Sequence, residues 1–101
     1  MKNYVYIFHV DNTMEDTDEL NAAWGKWFES LGENIIDSGN PFNPKAQAQI
    51  KNGTVTMDAD NVAGYTIVKA SSLEEAVTWA QTCPVAMTPD GSVSVYETMP
   101  M

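Results

Sequence analysis

At 101 residues, with 44% hydrophobic and 10% aromatic content, the chain is sized and composed for one packed domain spanning residues 1–101. Five Lys and Arg against fourteen Asp and Glu leave a formal charge of −9. A field of that sign repels phosphate backbones and anionic lipid, which excludes nucleic acid and membrane surfaces as partners. The single cysteine, Cys83, cannot close an internal disulfide and points to a reducing, cytoplasmic setting. No apolar run approaches the roughly 20 residues of a membrane span, and the run at residues 4–8 is too short for a signal peptide.

Residues 3–10 read as the first strand, with Tyr4, Tyr6 and Phe8 on one face and Val5 and Ile7 on the other. Both faces are apolar, so both need cover. Residues 11–16 are polar and break the pattern. A helix then runs from about Thr17 or Asp18 to Leu31, with acidic residues in its first turn where the dipole favours them. Leu20, Ala23, Trp24, Trp27, Phe28 and Leu31 form one stripe at helical spacing, and Gly32 is the stop. The Trp24–Trp27–Phe28 group reads as core, with a ligand platform as the alternative; two or more of Trp24, Trp27 and Trp79 are expected to be largely buried.

Glu33–Asp37, carrying Ile35 and Ile36, is the second strand, and Ser38-Gly39-Asn40-Pro41 ends it. Pro44 closes a rigid bend around Phe42. Ala46–Met57 alternates weakly about Asn52-Gly53, a hairpin signal, and its low apolar content predicts a small, partly exposed hairpin. After a loop at 58–61, Tyr65, Thr66, Ile67 and Val68 make a β-branched and aromatic strand. Ser72 with Glu75 three residues on is a capping box; Leu73, Ala76, Val77 and Ala80 recur at helical spacing until Pro84 forbids continuation. A Pro89-Asp90-Gly91 turn leads to the last strand, Ser92–Thr98.

With the hairpin set aside, strand–helix–strand–strand–helix–strand is the pattern of a ferredoxin-like βαββαβ sandwich, an α+β fold with a small extra hairpin. Right-handed crossovers put both helices on one face of the sheet. The opposite face, apolar along the first strand, is then uncovered, and a homodimer packing sheet against sheet covers it.

This topology gathers His9 and Asp11, Asn40 and Pro41, Gly64 and the Cys83-Pro84 turn at one end of the sheet. Histidine is the residue type whose unperturbed pKa lies near neutrality, His9 is the one histidine in the sequence, and Asp11 two residues on shares its face if the strand persists; the pair suits general acid–base work. A structural histidine at a strand end is the competing reading. Asn40, Pro41 and Phe42 are expected to wall a pocket there, with Trp24 closing its apolar side. Asp58 and Asp60 form an Asp-x-Asp without further ligands, too little for a metal site. Cys83 has no neighbouring base. No phosphate loop, nucleophile elbow or dinucleotide fingerprint is present, and no cofactor is expected.

Gly39, Pro41, Gly64, Tyr65, Ala70, Leu73, Glu75, Ala76 and Pro84, with the Ser-Leu-Glu-Glu-Ala helix start and the Cys-Pro stop, resemble the YCII-related family along essentially the whole chain. The resemblance implies a ferredoxin-like dimer of the dimeric α/β-barrel kind with a cleft near the sheet. It also implies, for many relatives, a first-helix histidine paired with an aspartate for acid–base work. Here Ala22, Ala23 and Trp24 stand in that part of the helix, and Asp58-Ala59-Asp60-Asn61 replaces the Asp-Gly-Pro-Phe motif of one large branch. Two function classes follow. One is a non-catalytic protein that binds a small organic ligand or a protein partner in the cleft. The other is an enzyme performing proton transfer or elimination on a small cyclic or aromatic molecule, with His9 as base.

Overall fold

Alternation of buried aromatics with half-buried aliphatics runs through the whole of β1 (Lys2–His9). In the computed structural model, which describes residues 1–10, 17–43, 46–57, 62–89 and 91–100, this strand lies inside a four-stranded antiparallel sheet. It pairs on one side with β5 (Val62–Ala70) and on the other with β6 (Ser92–Glu97). The short β2 (Ile35–Asp37) pairs with the outer edge of β5, giving the order β2-β5-β1-β6. Numbered within this sheet the order is 4-1-3-2, the ferredoxin-like arrangement. A separate hairpin, β3 (Gln49–Lys51) with β4 (Thr54–Thr56), is inserted between β2 and β5.

Local chemistry sets the ends of the elements. Thr17 caps α1 (Asp18–Leu31), its hydroxyl accepting from the Leu20 amide, and Gly32 at φ 54° ends it. Ser72 caps α2 (Leu73–Ala80) by accepting from the Glu75 amide, while the Glu75 carboxylate accepts from the Ser71 amide. Asn52 and Gly53, both at positive φ, make the tight turn of the hairpin. A 3-10 turn over Gly32–Asn34 takes the residues with which the second strand was expected to begin, and another over Val85–Met87 follows Pro84.

Both helices cover one face of the sheet. Tyr4, Tyr6, Phe8, Val68 and Ala70 from the strands meet Trp27, Leu31, Ala76 and Ala80 from the helices. Trp27 is the buried tryptophan, 4% exposed, whereas Trp24 and Trp79 are half-buried against the same core. The expected stripe of α2 is split: Ala76 and Ala80 point inward, Leu73 and Val77 outward. The Tyr6 hydroxyl donates to the Ala76 carbonyl at 2.6 Å, which draws the α2 backbone close to the sheet and leaves room for alanine side chains only. Ala23 of α1 is likewise exposed.

Candidate functional site on the helix-free sheet face

Side chains directly opposite one another in an antiparallel pair share a face, so the register defines what faces away from the helices. Ile7 stands between Tyr65 of β5 and Ser94 of β6, and Val5 between Ile67 and Tyr96. The resulting face is apolar at its middle. His9 lies on it beyond Ile7, at the end where β1 finishes and both β5 and β6 begin.

Two side-chain pairs flank Ile7 there. On one flank His9 Nε2 lies 2.9 Å from Ser94 Oγ, a partly buried hydrogen bond. With the hydroxyl donating, Nε2 is the acceptor and the ring proton sits on Nδ1; in the other neutral tautomer Nε2–H donates to Ser94 Oγ and the Nδ1 lone pair is left free to take a proton. On the other flank Phe42 stacks on Tyr65, ring centroids 5.8 Å apart at 27°. Tyr65 and Ser94 are two strand spacings apart, about 10 Å. That separation suits a single planar ring lying over Ile7, with an aromatic surface on one side and the polar imidazole–hydroxyl pair on the other.

The backbone beneath Phe42 is held tightly. Phe42 donates its amide to the Ala63 carbonyl at 2.7 Å, and Pro41 bridges to Gly64. A Cβ at Gly39, which has φ 76°, would overlap the Tyr65 carbonyl, and one at Gly64 would lie 2.9 Å from the Asn40 carbonyl oxygen. Thr66 Oγ1 donates to the Ser38 carbonyl at 2.9 Å, tying the same segment to the buried side of β5.

The structure thus brings His9, Pro41 and Phe42 to one end of the sheet, with Asn40 exposed beside them. It does not bring Trp24 to the same face. Trp24 packs edge-on against Phe8, centroids 5.0 Å apart, and stacks on Phe28 in the helical layer. Phe8 and His9 are consecutive in a strand and point to opposite faces, so the sheet stands between Trp24 and His9. Asp11 lies outside the described residues, as do Asp58 and Asp60. Among the described residues there is no group of three or more His, Cys, Asp or Glu able to hold a metal ion. Cys83 reaches the same end but is fully buried; burial pushes its thiol up, partly offset by backbone hydrogen bonds from Ala86 and Val85. A thiol held protonated is a poor nucleophile. Ser94 is the residue that sequence reasoning missed. The alternation Ser92-Val93-Ser94 signals a polar face on the last strand, but its pairing with His9 depends on long-range register.

A model of the YCII-related domain matches residues 1–101. The chain belongs to the YCII-related family. Among solved structures, this YCII-related chain is similar to 5-chloro-2-hydroxyhydroquinone dehydrochlorinase (TftG) from Burkholderia phenoliruptrix AC1100, determined in complex with 2,5-dihydroxybenzoquinone. The TM-score is 0.58 at 18% identity, covering 96% of this chain and 93% of the other, a likeness of fold. No curated protein matches the chain. Among the described residues no helix is long and apolar enough to cross a membrane.

Proposed function

We propose that this YCII-related protein binds a small ring-shaped organic molecule on the helix-free sheet face, inside a cytoplasmic homodimer closed sheet against sheet. The observation that carries this reading is the placement of the His9–Ser94 pair and the stacked Phe42–Tyr65 pair on either side of Ile7. Stacked aromatics supply affinity for a planar ring, and the imidazole and hydroxyl supply one polar anchor. The half-buried Val5, Ile7 and Ile67 around them favour a face that a second copy covers. The lone, buried Cys83 accords with a reducing compartment. A protein partner in place of the ligand fits the site less well, because its two polar groups sit together at one end of the face.

A second reading is acid–base catalysis with His9 as base, acting in proton transfer or elimination on a cyclic enol or a hydroxylated ring. The His9–Ser94 bond favours it by holding the imidazole in a defined orientation. The likeness to a dehydrochlorinase solved with a dihydroxybenzoquinone supports the same substrate class. The test is a calorimetric and absorbance screen of hydroxyquinols, hydroxybenzoquinones, cyclic enols and lactones against the wild type, Phe42→Ala and His9→Ala. Binding lost in Phe42→Ala supports the ligand site; turnover lost in His9→Ala with binding retained supports catalysis. No binding by any of these rings sinks both readings.

A further inference from the structure

The β3–β4 hairpin turns on Asn52 and Gly53, at φ 52° and 77°. Both residues are exposed, and a Cβ at Gly53 would meet no heavy atom within 4 Å. Among the described residues the Asn52 side-chain amide has no hydrogen-bond partner. A free carboxamide followed by glycine is open to attack by the next backbone nitrogen, because no Cβ hinders the approach. Asparagine is thermolabile by this route. The left-handed turn itself points the Gly53 nitrogen away from the side-chain carbonyl carbon, so the reaction waits on opening of the turn.

Little holds the turn shut. Its strands are three residues each, all exposed, and they form a sheet of their own. Ile50 and Val55, opposed in register, stay 70% and 56% exposed. A two-stranded hairpin of that kind is marginally stable in water and opens at small cost. No other asparagine combines these features. Asn40 and Asn43 precede prolines, which carry no N–H to lose. Asn3, Asn21 and Asn34 sit in β1, α1 and the 3-10 turn ahead of Tyr4, Ala22 and Ile35, and Asn12 and Asn61 precede the branched Thr13 and Val62.

We infer that Asn52 is a site of spontaneous deamidation, at which this protein ages through its hairpin. The Gly53 nitrogen bonds to Cγ of Asn52, the Cγ–Nδ2 bond breaks, and Nδ2 leaves as ammonia with the Gly53 amide proton. Water then opens the resulting succinimide at either carbonyl. Cleavage at Cγ gives an aspartate at position 52; cleavage at the main-chain carbonyl gives an isoaspartate. Either product sets a new carboxylate beside Lys51. The aspartate keeps the turn, since Asp-Gly suits the same geometry. The isoaspartate lengthens the main chain by one carbon, and the pairing of Gln49–Lys51 with Thr54–Thr56 is lost with the turn that fixes it.

The experiment is incubation of the full chain at physiological temperature and at neutral and mildly alkaline pH, beside a synthetic peptide of residues 46–57. Peptide mapping by mass spectrometry follows the amide-to-acid mass gain, and enzymatic methylation detects isoaspartate. The expected result is conversion of Asn52 in the chain within about tenfold of its rate in the peptide, faster at the higher pH. Isoaspartate appears among the products, and Asn40 and Asn43 stay intact. Asn52→Ser abolishes the mass gain, and Gly53→Ala slows it in chain and peptide alike, so the comparison does not depend on how either variant folds. Protection of Asn52 in the chain beyond about tenfold, or conversion of another asparagine ahead of it, overturns the inference.

Discussion

The Tyr6 hydroxyl donates to the Ala76 carbonyl across 70 residues of sequence, joining the middle of β1 to α2 at 2.6 Å. Burial raises the pKa of this phenol well above its ordinary 10.0, with a smaller push from Cys83. Tyr6→Phe is expected to cost about 1–2 kcal/mol in urea denaturation at neutral pH, by leaving a buried carbonyl short of a partner. The sign of the pH dependence follows from the raised value. The contribution is full below pH 10, where both states keep the proton, and drains away as pH rises above the unfolded value toward the folded one. Tyr6→Phe should therefore flatten the alkaline limb of the stability curve; an unchanged limb would show that another group drives it.

Trp27 touches Tyr6, Phe8, Trp24 and Phe28, and its indole Nε1 donates to the Trp79 carbonyl at 3.0 Å. Trp27→Ala is expected to cost about 3–5 kcal/mol, and Trp24→Ala and Trp79→Ala less, since both are half-buried. Chemical denaturation midpoints for the three variants check the ranking.

Gly39→Ala forces a methyl group into the Tyr65 carbonyl at a left-handed backbone position. The expected loss is at least about 1–3 kcal/mol, together with weaker ring binding at Phe42, because the same segment positions that side chain. Thermal denaturation and ligand titration on one sample separate the two effects.

Cys83 has no exposed surface and a thiol pushed upward by burial. Thiol reagents are expected to leave it unmodified in the native protein and to label it fully in denaturant. Rapid labelling of native protein at neutral pH would place the thiol at the surface and contradict the packing around Val85.

His9→Ala should leave the fold intact, since its one described side-chain partner is Ser94 at the edge of the exposed face. In ligand or substrate titrations it is expected to lower affinity or turnover without shifting the thermal midpoint by more than about 2 °C. Ser94→Ala should lower the same affinity or turnover partially and, by removing the hydrogen bond, change the ring-nitrogen chemical shifts of His9.

Much of the fold was legible along the chain because its signals are local. Thr17, Gly32 and Ser72 bound the helices through contacts within a few residues, whereas α2 stops at Ala80, short of Pro84; Asn52-Gly53 forms a turn that those two residue types favour by themselves. The strand–helix order then left few topologies to consider. Period-two alternation separated Tyr4, Tyr6 and Phe8 from Val5 and Ile7 but, with both sets apolar, placed neither beneath the helices. The three-dimensional packing of Trp27 on Tyr6 and Phe8 decided that. It also put Trp24 on the opposite side of the sheet from His9. The pairs that make the candidate site, His9 with Ser94 and Phe42 with Tyr65, join residues 85 and 23 positions apart. Such pairs are set by strand register, a cooperative property of the whole sheet, and no local run of residues encodes it.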